Sequence, residues 1–184
     1  MADTPNTPLL TVDKLGVRFA VKRGGGWGKR AYLYAVDDVS FTVNRGETLA
    51  IVGESGSGKT TAALAVARLT AAYTGSVKLD GQELLGLEGE ELRQARNKVQ
   101  FIFQDPYSSL NPRQRAEDIV REPLVSLTDK SGVEQQQIID RLFAEVGLRP
   151  EQKRLFPHQF SGGQRQRIGI ARALATQPQL IICD

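Results

Sequence analysis

A chain of 184 residues, 40% apolar and 24% charged, has an ordinary globular composition and can fill one well-packed domain with an inserted subdomain. Its net charge of +3 comes from basic residues scattered among acidic ones, a solvated surface rather than a nucleic-acid footprint. One cysteine excludes a disulfide framework, and no apolar run approaches the roughly 20 residues that span a bilayer. The amino-terminal "MADTPNTPLL" lacks the basic stretch and apolar core of a signal peptide, so a cytoplasmic chain is expected, with any membrane attachment supplied by a partner.

Along the chain, "LLTVDKLGVRF" (Leu9–Phe19) and "AVDDVSFTV" (Ala35–Val43) alternate and carry β-branched residues, which predicts two strands. The glycine cluster of "VKRGGGWGKRAYLY" between them predicts a flexible loop. "ETLAIVG" (Glu47–Gly53) is a continuous apolar run, the pattern of a strand buried on both faces. The alanine-rich Thr60–Leu69 reads as a helix, "GSVKLDGQEL" as a short strand and turn, and "EGEELRQAR" as a charged helix. "KVQFIF" (Lys98–Phe103) is expected to be another buried strand.

Beyond Gln104 the texture changes. "DPYSSLNPR" is rich in turn residues, "RAEDIVREPL" and "GVEQQQIIDRLFAEVGL" are helical, "PHQFSGGQ" is a loop, and "QRQRIGIARALAT" is a helix. "LIICD" then ends the chain as a buried strand carrying Asp184 to its carboxyl end, where ligands bind in open α/β sheets. Cys183 is expected to be a small buried hydrophobe. This order predicts an α/β core, residues 1–104 and 177–184, with a helical insertion over 105–176.

Two glycine loops carry the chemistry. "GESGSGKTT" matches G-x-x-x-x-G-K-[ST] between an apolar run and a helix. Its glycines Gly53, Gly56 and Gly58 let the backbone turn tightly and bring N–H groups close to phosphate oxygens. The start of the next helix adds about half a positive charge. Lys59 supplies a point charge for the β- and γ-phosphates, and the Thr60 hydroxyl is suited to Mg²⁺. The second loop, "FSGGQRQR" (Phe160–Arg167), also opens a helix, with Ser161 as a candidate N-cap; alone it reads equally as a cap and as an anion site.

Together, "GESGSGKTT", "FQDPYSSLNPR", "FSGGQRQR" and "LIICD" resemble, in order and approximate spacing, the nucleotide-binding subunit of ABC transporters. "FQDPYSSLNPR" resembles the branch that serves oligopeptide, dipeptide and nickel importers. The resemblance implies a P-loop NTPase core of RecA-like type, with amino-terminal antiparallel strands and an inserted helical subdomain, incomplete at the carboxyl terminus.

It also implies roles. Gly53, Glu54, Ser55, Gly56, Ser57, Gly58, Lys59, Thr60 and Thr61 become the ATP phosphate site. Gln104 matches a glutamine that touches Mg²⁺ or the attacking water and communicates with the membrane partner. Asp184 matches the acid that holds Mg²⁺ through water. Phe19 lies where an aromatic side chain stacks on adenine, with Tyr32 or Tyr34 as alternatives and a buried core position also open for Phe19. Ser161, Gly162, Gly163 and Gln164 match the loop that contacts ATP held by the opposite subunit, which implies a head-to-tail dimer, homo- or heteromeric. Lys59, Gln104 and Asp184 are the catalytic candidates, and Thr60, Gln104 and Asp184 the metal candidates. Permease subunits, and indirectly a solute-binding protein, are the implied partners at the cytoplasmic face of a membrane; no nucleic acid is expected.

The sequence also departs from the pattern. The family's acid is followed by a glutamate that polarises the attacking water and, further on, by a switch histidine; neither follows Asp184 here. His158, the sole histidine, precedes the second glycine loop and is expected to be an ordinary loop residue. The chain is therefore expected to bind ATP and hydrolyse it poorly. Two other readings remain at this stage: the ATPase head of a DNA-repair or chromosome machine, disfavoured by a short helical block without heptads, and a non-hydrolytic nucleotide-binding module.

Overall fold

The computed structural model describes residues 8–21 and 31–184, and these divide into two compact units, one ending at Glu88 and the other spanning Gly89–Asp184. The amino-terminal residues and residues 22–30 of the expected glycine-rich loop lie outside the described residues, while the ends of that expected loop, Val21 and Ala31–Tyr34, are strand rather than loop, paired in the antiparallel ladder.

The first unit is built on antiparallel pairing. Strand β1 (Leu10–Val21) pairs with β2 (Ala31–Val43) on one edge and with β3 (Thr74–Leu79) on the other, and β3 continues through a turn into β4 (Gln82–Glu83). Alternation sends Leu10 and Val12 inward, an irregularity around Lys14 shifts the phase, and Leu15 and Val17 are buried beyond it. Val77 and Leu79 of β3 and Ala62, Ala65 and Val66 of helix α1 (Lys59–Val66) complete this core. The helix is shorter than the alanine run suggests, because Arg68 turns left-handed (φ 57°) and its guanidinium donates to the Leu87 carbonyl at 2.9 Å.

Glu83 closes the β3–β4 turn. Its carboxylate accepts the Val77 and Leu85 N–H groups at 3.0 Å each, together with the Ser76 hydroxyl. Burial alone would raise its pKa, but the Ser76 hydroxyl and the backbone donors outweigh that and hold it below the ordinary value.

In the second unit, helices α3 (Ala116–Leu127), α4 (Gly132–Glu145) and α5 (Gly162–Leu174) pack on one another around Ile119, Val120, Leu124, Ile139, Phe143 and Ile168. Helix α4 starts at a capping box in which Ser131 and Glu134 satisfy each other's backbone N–H. Two short 3₁₀ turns, Pro150–Arg154 and Pro157–Gln159, connect α4 to α5. Beside this core, helix α2 (Gly89–Lys98) leads into β5 (Val99–Ile102), which pairs in parallel with β6 (Leu180–Cys183). The helix α5 to β6 connection is pinned to the end of α2 by Gln179 N–H to the Lys98 carbonyl (2.9 Å) and the Thr176 hydroxyl to the Asn97 carbonyl (3.0 Å).

Two expectations need correction. The run Glu47–Gly53 forms no strand: it joins no ladder among the described residues, and Leu49, Ile51 and Val52 are exposed, Val52 by 91%. An apolar run fits a buried strand only when neighbours supply its hydrogen bonds, and the strands present pair elsewhere. Cys183 is exposed rather than buried, because β6 has β5 on one side and no other strand on its second edge among the described residues. For the same reason β6 alternates between partial and full exposure instead of being buried throughout.

Replacing Glu83 with Gln is expected to cost about 1–2 kcal/mol, since one carboxylate oxygen becomes a donor facing donors. A lowered folded pKa means that the charged form stabilises the fold. Its contribution is therefore full above the ordinary value of 4.5 and is lost as pH falls through the lower folded value. Urea denaturation at pH 7 and pH 3 should show the difference between native protein and Glu83→Gln shrinking at the lower pH.

Candidate functional site

The phosphate-type loop joins the exposed Thr48–Gly53 segment to helix α1. Gly56 and Gly58 sit at φ 82° and 92°, and a Cβ on Gly58 would lie 2.2 Å from the Ala35 carbonyl oxygen of β2. Gly58 is thus required twice, by its dihedral and by its contact, and that contact seats the start of α1 on β2. The Lys59 ammonium donates into the loop, to the carbonyls of Gly53 (2.9 Å) and Glu54 (2.6 Å) and the Ser57 hydroxyl (3.4 Å). A cation held against a tight glycine loop at a helix start matches the donor set that a nucleotide's phosphates need.

A bulge sorts the aromatic candidates. Val17 pairs with Val36, but the next pair is Arg18 with Tyr34, so Ala35 is the extra residue in β2. Beyond it, Arg18, Ala20, Tyr32 and Tyr34 share one face. The Arg18 guanidinium lies over the Tyr32 ring (4.2 Å) and the Tyr73 ring (4.7 Å), and Tyr34 meets Tyr73 edge-on. Phe19, paired with Leu33, takes the opposite face, the one shared with Val17 and Val36, and Val36 is the side chain nearest Gly58. Phe19 is 43% exposed and so is not a core residue.

In the second unit, Gln104 and Asp184 emerge at the carboxyl ends of adjacent parallel strands. The register ends at Ile102 with Cys183, and the Asp184 N–H donates to the Ile102 carbonyl at 3.0 Å. Among the described residues no three His, Cys, Asp or Glu side chains gather as a metal cage. The side chains of Gln104 and Asp184 offer hard oxygen donors, the kind that Mg²⁺ takes together with waters and phosphates. Next to Gln104, the Tyr107 N–H and the Ser108 hydroxyl hold the Asp105 carboxyl below its ordinary pKa, and the resulting turn begins the "DPYSSLNPR" segment.

Ser161 is the N-cap of α5: its hydroxyl accepts the Gln164 N–H (3.3 Å), and the Gln164 side chain accepts the Ser161 N–H (3.0 Å). Gly162 and Gly163 follow, and a Cβ on either would meet nothing within 4 Å. Neither has the left-handed backbone that favours glycine, and glycine weakens a helix relative to alanine. Among the described residues no neighbour and no left-handed dihedral requires glycine at either position. His158, in the 3₁₀ turn before this loop, stacks on Phe156.

Sequence reasoning missed two arginines of α5. Arg165 is only 9% exposed, with its Nε donating to the Pro157 carbonyl at 2.7 Å and its guanidinium 3.8 Å from the centre of the Tyr107 ring. Arg172 donates to the Ser109 carbonyl at 2.7 Å, and burial lowers its pKa while Glu122 opposes that shift. A charged "QRQR" reads as a solvated helix face; only the seven-residue spacing of Arg165 and Arg172, two turns along one face, hints otherwise.

The family model "ABC transporter" matches residues 36–184, and the chain belongs to this family. It carries the ABC ATPase fold, a P-loop NTPase. The chain is similar to the ATP-binding subunits of peptide importers. It is 44% identical to the di/tripeptide transport ATP-binding protein of Pseudomonas aeruginosa over 96% of this chain and 54% of that protein. It is 46% identical to the oligopeptide transport ATP-binding protein of Salmonella typhimurium, again over 96% and 54%. The chain thus spans about half the length of these relatives. Among solved structures, a dimeric ATP-binding cassette in a post-hydrolysis state bound to ADP and Pi superposes with a TM-score of 0.82 at 29% identity, over 95% of this chain and 73% of that one.

The two glycine loops are expected to respond in opposite ways to alanine. Gly58→Ala should destabilise the first unit and disorder the loop, whereas Gly163→Ala should raise thermal stability slightly, by up to about 1 kcal/mol. Melting curves of the two variants beside the native chain decide this.

Proposed function

We propose that this chain is the ATP-binding part of a subunit that energises the import of peptides or a related solute through membrane-embedded permease subunits. The observation that carries the proposal is the presence, in one chain, of a lysine-bearing phosphate loop and a second capped helix start whose glycines face open space. One nucleotide needs one such cradle. The second is suited to a nucleotide held by another subunit, as in a head-to-tail dimer, and the similar cassette bound to ADP and Pi is itself dimeric. The peptide substrate class rests on the similarity to di/tripeptide and oligopeptide transport proteins.

In this reading the Gly53–Thr61 loop and Lys59 hold the phosphates, and Thr60, Gln104 and Asp184 hold Mg²⁺, which supplies charge neutralisation at the phosphates. Phe19 stacks on the base, because it shares a sheet face with the side chain nearest the phosphate loop while Tyr32 and Tyr34 lie on the other face with Arg18. Ser161, Gly162, Gly163 and Gln164 contact the partner's nucleotide. The helical block 105–176 is an insertion in an α/β core. Among the described residues no helix is long and apolar enough to cross a membrane, and the proposed location is the cytoplasmic face, through the permease.

Lys59→Ala is expected to weaken ATP binding by about 10- to 100-fold, the loss of a charge-assisted contact, as read by equilibrium titration with a fluorescent ATP analogue. Unchanged affinity in that variant would remove the phosphate-loop assignment. Gly163→Ala should bind ATP normally yet fail to self-associate when ATP is added, as read by analytical ultracentrifugation.

A further inference from the structure

We propose that Arg165 is a positioning residue that couples the loop after Gln104 to the loop presenting Ser161, through its place between the Pro157 carbonyl and the Tyr107 ring. The inference rests on the proposed role of the Ser161 loop, but the coupling itself is read from contacts within the second unit.

The segment from Asp105 to Gln114 has a fixed end and a lightly held end. At the fixed end Leu110 is buried in the helical core, and Arg172 grips the Ser109 carbonyl at 2.7 Å. At the other end, near Gln104, the chain is shaped by the Asp105 turn, and Tyr107 is 66% exposed. The guanidinium of Arg165, 3.8 Å from that ring's centre, supplies the side-chain contact that joins this end to α5. An arginine–aromatic stack strengthens as it is desolvated, and Arg165 is nearly buried.

The other side of Arg165 points at the second glycine loop. Its Nε donates to the Pro157 carbonyl, four residues before the Ser161 cap, while Arg165 itself lies one residue after Gln164. The residue therefore braces the loop from both of its ends. Displacing Tyr107 frees the guanidinium, and a freed guanidinium no longer fixes Pro157. A shift near Gln104 is in this way transmitted to Ser161 and its glycines, and the reverse holds as well.

Lysine cannot reproduce a planar stack with an Nε donor, so Arg165→Lys separates charge from geometry. The test uses native chain, Tyr107→Phe, Tyr107→Leu, Arg165→Lys and the Tyr107→Leu/Arg165→Lys double variant, with three readouts. In hydrogen exchange without nucleotide, Tyr107→Leu should speed exchange at residues 160–164, and Arg165→Lys should speed exchange at residues 105–109. In the second readout, ATP-dependent self-association should weaken roughly 3- to 30-fold in Tyr107→Leu and Arg165→Lys, no further in the double variant, and hardly at all in Tyr107→Phe, which keeps the ring. ATP affinity of the monomer, the third readout, should stay unchanged throughout, which a general loss of structure would not allow. Exchange at 160–164 unaltered by Tyr107→Leu would overturn the coupling, as would additive losses in the double variant. If the native chain does not self-associate with ATP at all, the Ser161 loop has no role between two copies of this chain, and the exchange data alone still decide whether Arg165 couples the two loops.

Discussion

Backbone N–H and C=O groups in a strand have to be paired, and that requirement governs which parts of this chain become sheet. β1 is paired on both edges over Leu10–Gly16, by β2 and β3, and forms the axis of the first unit. β5 and β6 satisfy each other along one edge, and their shared register brings Gln104 and Asp184 to the same end. The Thr48–Gly53 run has the apolar residues of a strand but no ladder, and it stays irregular and exposed. The phosphate loop that follows it takes its position from the helix side, where Gly58 packs against the Ala35 carbonyl and α1 against the sheet.

The glycines divide by the reason they are needed. Gly58 is demanded from inside, by a carbonyl that leaves no room for a side chain and by a left-handed dihedral. Gly162 and Gly163 are not demanded in this way: they open a helix that Ser161 and Gln164 have already capped, and a Cβ on either would meet no described atom within 4 Å. The first kind of glycine fixes the shape of its loop, and the second leaves the start of its helix uncovered among the described residues.

How much of this was legible in the sequence follows the range over which each feature is determined. Both glycine loops, the helix cap at Ser161 and the capping box of α4 depend on neighbours within a few residues, and the sequence showed the two loops directly. Most strands and helices were legible because period two and period 3.6 are local patterns. Phe19 could not be separated from Tyr32 and Tyr34 in the sequence, since a single bulged residue, Ala35, decides which face each ring takes. The apolar run before the phosphate loop and the exposed Cys183 were misread for one reason: burial depends on what lies alongside, and a linear pattern carries no record of that. Arg165 and Arg172 were invisible because a buried arginine and a solvated one are the same letter, and only the folded chain brings Tyr107 and Ser109 to them.

The parallel register of β5 and β6 has a consequence for how the molecule is made. The two strands form adjacent rungs in space, yet the whole helical block separates them in sequence. Bringing them together from an open chain means closing a very long loop, an entropic cost that falls sharply once α3, α4 and α5 have collapsed on their own core. The pairing that sets Asp184 beside Gln104 therefore leans on a helical core that shares no residue with either strand. Lesions in that core, at Ile139 or Phe143 for example, would loosen the hold on a carboxylate they never touch.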